Sequence, residues 1–313
     1  MSAGYRPHLT MTAAALAAIG LATGALVAIT PIRPPAARAA VRSLSFTVPD
    51  SLASPGTEWT AVMLAHRRAN SKKGVGAWAF AGVGSALRKS GVSWYYTWSV
   101  YHPKIVAPRG VGFVPMIWGS ANVTTRQLRT ARHEGHLLLG FNEPDLPAQS
   151  NMAVSQALAL WPRLMATGMR LGSPAVAGEG ATPGGWLDRF MSGAARRHYR
   201  VNFITLHWYG RDFSTATAVS ELKSYIQAVW LRYHKPIWLT EFALWRFGPS
   251  VFPSPRGQAA FVTASTAMLE RLPYVWRYAW FALPAVQKDG TTGLFRPGAV
   301  PTAAGRAFEK VDS

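Results

Sequence analysis

The sequence predicts a single α/β domain of the (β/α)8 TIM-barrel class. Eight short apolar runs alternate with longer segments that carry helix signals, and the runs show the little polar alternation expected of strands buried on both faces. Eight strand–helix units fit into roughly 240 residues, close to the typical length of about 250. A doubly wound sheet is the alternative, but Gly82-Val83-Gly84 lacks the third glycine of a dinucleotide-binding loop.

The predicted strands are rich in Val, Ile, Leu, Trp and Tyr. In chain order they cover residues 74–80, 93–99, 112–118, 136–142, 170–176, 203–209, 236–242 and 278–283. Predicted helices cover residues 124–135, 156–168, 186–195, 218–234, 254–272 and 302–311. Thr124 is a good N-cap residue, and Pro255 is in a first turn, where proline is tolerated.

The N-terminal segment has the pattern of an export signal. Residues 11–29 carry no charge and are followed by prolines, and Ala37 and Ala39 match the −3 and −1 positions of a signal peptidase site. We expect residues 1–39 to be a signal peptide, 40–71 a lead-in segment with a short helix at 58–69, and 72–313 the single (β/α)8 domain. An uncleaved membrane tether through residues 11–29 is the alternative, and both predict an extracellular domain.

Composition excludes several functions. The 313 residues contain no cysteine, so disulfides, thiolate metal sites and cysteine nucleophiles are excluded. The net charge is +19, but no dense basic run exists. A solvated, arginine-rich surface is favoured over weak attraction to an anionic cell wall, and a nucleic-acid partner is disfavoured.

Two acidic residues end apolar runs. Glu143 follows the fourth run and Glu241 ends the seventh. Strands four and seven of a barrel lie across the opening from each other, so two carboxylates there can flank a sugar, as glycosidic cleavage requires. We assign Glu143 as acid/base and Glu241 as nucleophile. For one such glutamate alone, an ion pair on the rim is equally plausible.

Other polar residues near these run ends predict substrate contacts. Asn142 is placed to hydrogen-bond a sugar 2-hydroxyl. His207 or Tyr209 is placed to hold the nucleophile, and a core histidine is an equal alternative for His207. Asp145 is expected to cap a helix or orient its loop. His133-Glu134-Gly135-His136 resembles a metal motif, but its histidines are three residues apart rather than four, so we predict a solvated turn.

Aromatic side chains that end the runs are candidates for stacking on sugar rings, whose C–H faces are apolar. We predict sugar platforms at Trp98, Trp118, Trp208 and Trp280. A role in the barrel core is the alternative for about half of the aromatic residues near this face.

Several of these motifs resemble one known family, glycoside hydrolase family 128 of the glycosyl hydrolase catalytic core group. They are Leu139-Gly140-Phe141-Asn142-Glu143-Pro144-Asp145, Ser173-Pro174-Ala175, His207-Trp208-Tyr209-Gly210, Trp238-Leu239-Thr240-Glu241-Phe242-Ala243, Val114-Pro115-Met116-Ile117-Trp118-Gly119 and Tyr278-Ala279-Trp280-Phe281. They occur in the family's order over about residues 72–310.

The resemblance implies a retaining (β/α)8 enzyme with acid/base Glu143 and nucleophile Glu241. It also implies β-1,3-glucan as substrate and no metal or organic cofactor. Another wall polysaccharide, such as β-1,4-glucan or mannan, and a weakly catalytic wall-binding protein remain alternatives. A monomer is the default expectation.

Overall fold

A computed structural model describes residues 72–285 and 291–311. The predicted signal peptide, the lead-in segment and its helix at 58–69 lie outside the described residues. Among the described residues, no helix combines the length and the apolar composition needed to cross a membrane.

The centre of the fold is a parallel sheet, as the apolar runs predict. Its six strands are β1 (Lys73–Gly76), β2 (Trp94–Tyr96), β3 (Gly112–Phe113), β6 (Ile204–Gly210), β7 (Ile237–Leu244) and β8 (Val275–Trp280), in the order β3-β2-β1-β8-β7-β6. β4 (Leu137–Leu138) and β5 (Arg170–Leu171) form a second parallel pair. The α/β class with a parallel central sheet is therefore confirmed.

Single parallel bridges lie between these two sheets. Met116 pairs with Leu139 on the β3 side, while Gly172 pairs with Phe203 and Val176 with Leu206 on the β6 side. The two-strand sheet thus lies between β3 and β6, the two edge strands of the larger sheet.

Helices follow most strands. They are α1 (Val83–Ser90), α2 (Thr125–Glu134), α3 (Val154–Met165), α4 (Trp186–Arg196), α5 (Thr215–Tyr233), α6 (Pro255–Arg271) and α7 (Ala303–Glu309). The hydroxyls of Thr124, Ser254 and Thr302 accept the backbone N–H three residues later and so cap α2, α6 and α7.

The bounds of several predicted elements differ from the structure, and three differences are larger than a shift of bounds or concern a predicted site residue. Helix α1 was not predicted, because Gly82 and Gly84 dominate its start and its apolar face is short. A small antiparallel pair, β9 (Phe295–Arg296) with β10 (Val300–Pro301), was also missed. Strand β8 begins three residues before the predicted run, at Val275, and ends at Trp280.

The core has two parts. The larger cluster lies between strands and helices. The smaller one gathers Trp94, Tyr96, Val114, Met116, Leu139, Phe203, Trp238 and Ala279, all from strands or the runs that continue them. Strand side chains from around the sheet therefore meet in one interior layer beneath the strand ends.

Candidate active site

Two buried glutamates lie close together at the carboxyl ends of the strands. Glu241 is inside β7, and Glu143 follows β4; the two residues are 5% and 7% exposed. A carboxylate oxygen of each, together with a ring nitrogen of His207, forms a group whose members all lie within 4.8 Å of one another. Residues from separate runs of the sequence are thus brought to one site.

His207 on β6 links the two carboxylates. Its Nδ1 lies 2.8 Å from Glu143 Oε1, and its Nε2 lies 3.5 Å from Glu241 Oε1, within ion-pair range but outside hydrogen-bond geometry. Its ring is fully buried. Burial opposes a charge on His207, but the carboxylates, Glu241 and Glu143 foremost, outweigh it and raise its pKa.

Three donors hold Glu241. Trp98 Nε1 donates to Oε1 at 2.6 Å, and the Tyr209 hydroxyl donates to Oε2 at 2.5 Å. The Tyr96 hydroxyl lies 2.9 Å from the Thr240 carbonyl and 3.3 Å from Glu241 Oε1. Burial, and then the charge of Glu241, raise the pKa of both tyrosines, so each keeps the proton it donates.

The pKa of Glu241 is raised, and burial is the main cause. The nearby Glu143 carboxylate raises it further, while the charge on His207 lowers it. Hydrogen bonds from Tyr209 and Trp98 also lower it, because they stabilise the ionised form. Burial, which raises the pKa of Glu241, is therefore partly offset by the hydrogen bonds and the charge that lower it.

The backbone at Glu143 is unusual. Its φ is 39°, in the left-handed region that non-glycine residues rarely adopt. Its N–H donates to the Ala175 carbonyl at 2.7 Å, and its own carbonyl accepts from Leu146 N–H at 3.1 Å. These bonds hold the strained turn that points the carboxylate at His207.

Asp145 orients the loop that carries Glu143. Both of its carboxylate oxygens accept the Ala177 N–H, at 3.1 and 3.3 Å. This contact ties the segment after β4 to the segment after β5. Burial is the main reason that the pKa of Asp145 is raised.

Asn142 lies directly before Glu143. Its Nδ2 donates to Gln149 Oε1 at 3.3 Å, while its buried Oδ1 has no hydrogen-bond partner among the described residues. Its predicted contact with a sugar 2-hydroxyl stays a prediction.

One predicted sugar platform is wrong, and a second, Trp208, stays a prediction although its ring packs on a helix. Trp280 is fully buried, its ring packs against Phe242 and Phe261, and its Nε1 donates to the Thr292 carbonyl, so it belongs to the core. Trp208 packs on Phe261 of α6 with ring centroids 5.7 Å apart. Because strand side chains alternate, it faces away from its neighbours His207 and Tyr209.

The other residues predicted to contact the substrate differ in what they contact within the protein. The fully buried ring of His207 contacts the carboxylates, and its predicted contact with a substrate stays a prediction. Tyr209 holds Glu241, as predicted for one of the two residues. Trp98 and Trp118 are half-buried, and their stacking on sugar rings stays a prediction. Trp98 also donates a hydrogen bond to Glu241.

Sequence reasoning missed the contacts that Tyr96 and Trp98 make with Glu241. A signal existed, because residues two apart on a strand share a face. Tyr96 with Trp98 and His207 with Tyr209 are two such pairs, and all four side chains point at the carboxylates.

The group of Glu143, His207 and Glu241 offers atoms of the kind that bind a metal ion. Both carboxylates already have partners within the protein: Glu143 bonds to His207, and Glu241 accepts from tryptophan and tyrosine donors. Because N–H and O–H donors from Trp98 and Tyr209 occupy the oxygens of Glu241, the group fits a pair of reacting carboxylates better than a metal centre. The motif around His133 is separate, and Glu134 pairs with His102 at 3.4 Å.

The fold and the paired carboxylates define a glycoside hydrolase. The family profile described as glycosyl hydrolase catalytic core matches residues 77–308. An endo-β-1,3-glucanase of glycoside hydrolase family 128, subgroup I, from Amycolatopsis mediterranei, solved as a mutant with laminaripentaose, is 56% identical with a TM-score of 0.74. That similarity covers 77% of this chain and 100% of the other. The chain belongs to the glycosyl hydrolase catalytic core family, in glycoside hydrolase family 128.

Two more distant relatives are also similar to this chain. A subgroup II endo-β-1,3-glucanase from Sorangium cellulosum is 29% identical with a TM-score of 0.64, over 77% of this chain and 99% of that one. Alkali-sensitive linkage protein 1 of Schizosaccharomyces pombe is 31% identical over 210 residues, which is 65% of this chain. The match spans only 36% of that protein's length.

Proposed function

We propose that this enzyme cleaves internal β-1,3-glucosidic bonds with retention of configuration. The observation that carries the proposal is the approach of the Glu143 and Glu241 carboxylates to within 4.8 Å. Retaining enzymes separate these groups by about 5–5.5 Å, whereas inverting enzymes leave roughly 6.5–9.5 Å for a water molecule.

The proposed reaction has two steps. Glu241 attacks the anomeric carbon while Glu143 donates its proton to the departing glycosidic oxygen, so an ester bond to Glu241 forms as the glycosidic bond breaks. Glu143 then takes a proton from water, the resulting hydroxide attacks the anomeric carbon, and the Glu241 carboxylate leaves. Hydrogen bonds from Trp98 and Tyr209 favour this second step, because they stabilise the Glu241 carboxylate as it leaves the sugar.

We further propose that the eight parallel strands form a closed (β/α)8 barrel. The parallel bridges that flank the β4–β5 pair support closure. In such a barrel the strand ends form one opening, to which Asn142, Glu143 and Glu241 all belong.

The substrate class follows from the relatives. The subgroup I enzyme at 56% identity is an endo-β-1,3-glucanase that was solved with laminaripentaose. Half-buried Trp98 and Trp118 are proposed to stack on glucose rings, and Asn142 to hold a 2-hydroxyl. Binding to the glucan polymer is thereby assigned to the catalytic domain.

Product analysis on laminarin and on laminarioligosaccharides tests this function. We expect oligosaccharides of several lengths from the polymer, with the β-anomer formed first when the reaction is followed by NMR. Glu143→Gln and Glu241→Gln should each abolish release of reducing ends, and Glu179→Gln, on an exposed loop residue, should not. Turnover of β-1,4-glucan or mannan instead, or binding without product, would favour another substrate or a binding role.

We propose that the enzyme is exported and cleaved after Ala39. The uncharged segment 11–29 and the small residues at 37 and 39 support this. Mass spectrometry of the protein recovered from culture medium tests it: a mature N-terminus at Ala40 is expected, and an intact chain in the membrane fraction would favour the tether.

A further inference from the structure

Basic side chains gather at the end of the molecule opposite the carboxylates. Each of the seven described α-helices has at least one arginine in its last turn. In units of parallel strands joined by helices, the helices run back against the strands, so the helix carboxyl ends lie beside the strand amino ends.

Six exposed arginines of this surface belong to four neighbouring elements and the segments that follow them. We call them the arginine cluster: Arg132, Arg163, Arg170, Arg196, Arg197 and Arg200. Contacts between neighbouring elements bring them together. Arg200 Nη2 donates to the carbonyls of Met165 and Met169, at 3.0 and 3.3 Å, in the segment that joins α3 to β5. Arg170 is the first residue of β5, which pairs with β4 just after α2.

The charges of the arginine cluster are not neutralised by carboxylates. None of its six residues forms an ion pair with a described residue. The acidic residue at the end of α2, Glu134, pairs with His102 instead. Helix ends explain most of these cations, because Arg197 donates to the Gly193 carbonyl in the last turn of α4 and Arg200 to the Met165 carbonyl at the end of α3. They do not explain Arg170, which opens a strand.

We propose that the arginine cluster docks the enzyme on a linear, phosphate-bearing polyanion. Guanidinium groups bind phosphate through paired, directed hydrogen bonds, which ammonium groups do not provide. A polymer is favoured over a lipid surface because α2, α3, α4 and β5 have no exposed large apolar residue to enter a bilayer.

This docking leaves the active site free. Arg170 begins β5, and Ala175, five residues later, accepts the Glu143 N–H. Five residues of extended chain span roughly 16 Å. An enzyme anchored through the arginine cluster therefore presents its carboxylates away from the polyanion, toward neutral glucan.

Binding to long-chain inorganic polyphosphate tests the proposal. The test variant combines Arg132→Gln, Arg163→Gln and Arg196→Gln, all in last turns of helices. The matched control combines Arg126→Gln, Arg189→Gln and Arg256→Gln, which remove the same charge from exposed positions in the first turns of α2, α4 and α6. Thermal unfolding verifies that both variants are folded.

We expect the test variant to bind polyphosphate roughly 10- to 100-fold more weakly at low salt, with a shallower salt dependence, and the control to bind like the wild type. Equal losses in both variants would mean that net charge alone acts, and would overturn the proposal. Absence of wild-type binding would also overturn it, as would binding to phosphatidylglycerol vesicles without binding to polyphosphate. None of these outcomes depends on whether the enzyme cleaves β-1,3-glucan.

Discussion

His207 Nδ1 lies 2.8 Å from Glu143 Oε1, so a fully buried imidazole on β6 holds the carboxylate that follows β4. The same ring approaches Glu241, and both carboxylates raise the pKa of His207. The protonation of this histidine therefore affects both proposed catalytic groups.

We predict that His207→Gln lowers kcat by roughly 100-fold, because both carboxylates lose their shared partner and shift. The charge on His207 lowers the pKa of Glu241, so the acidic limb of kcat/KM should move to higher pH in the variant. Profiles on laminarin measure both effects. His133→Gln, on the exposed side of α2, is the control. An unchanged profile would contradict this positioning role.

The same substitution should change how stability depends on pH. A folded-state pKa raised above the unfolded value means that the protein stabilises the charged ring. That contribution is fully present below the unfolded value of about 6.5 and is lost as the pH rises through the folded pKa. The difference in Tm between wild type and His207→Gln should therefore shrink from pH 5 to alkaline pH; a constant difference would argue against a charged His207.

Tyr209 controls the proton affinity of the proposed nucleophile. Burial raises the pKa of Glu241, and only the ionised form attacks, so the acidic limb of kcat/KM should lie above the ordinary value of 4.5. Tyr209→Phe removes a donor that lowers this pKa, and should move the limb further upward with a roughly 10- to 100-fold loss in kcat. Tyr233→Phe, whose hydroxyl bonds to the Gly180 carbonyl, is a matched control. An acidic limb that moves to lower pH in Tyr209→Phe would contradict the conclusion that Tyr209 lowers the pKa of Glu241.

Trp98 and Trp280 should respond differently to the same change. Trp98→Phe removes the donor to Glu241 and should lower kcat by roughly 10- to 100-fold. Trp280→Phe removes a buried donor and leaves the Thr292 carbonyl unpaired, costing about 1–3 kcal/mol of unfolding free energy. Its KM should stay unchanged at temperatures where it is folded. Steady-state kinetics and urea unfolding distinguish the loss of activity in Trp98→Phe from the loss of stability in Trp280→Phe. A raised KM in Trp280→Phe would indicate that Trp280 contacts the sugar after all.

The sequence predicted the position of the carboxylates better than that of the aromatic rings. Glu143 and Glu241 end apolar runs, and the topology of parallel strands then brings run ends together. Trp280 also ended a strand, but whether a strand-end ring faces the opening depends on register. β8 starts at Val275, outside the predicted run. Alternation with His207 already predicts that Trp208 lies on the other face of β6. The bond from Trp98 to Glu241 joins residues 143 positions apart and needs the folded structure.

Gly140 connects the packing of the sheet to the position of the acid. A Cβ at this residue would lie 2.8 Å from the Ser173 carbonyl oxygen and 2.9 Å from that of Gly172, both backbone atoms of the segment after β5. Such contacts are too short, and backbone cannot rotate away as a side chain can. Glu143 follows three residues later and donates its N–H to Ala175 on that same segment.

We predict that Gly140→Ala costs about 1–3 kcal/mol of unfolding free energy, because the two segments must separate. A displacement of Glu143 by about 1 Å should also lower kcat by roughly 100-fold, since proton transfer depends on placement. Gly178→Ala is the matched control, because a Cβ there meets nothing within 4 Å. Urea unfolding and initial rates on laminarin measure the two effects. A Gly140→Ala enzyme with lower stability but normal kcat would show that the acid is positioned by the His207 and Ala175 contacts alone, without the close approach of the strands.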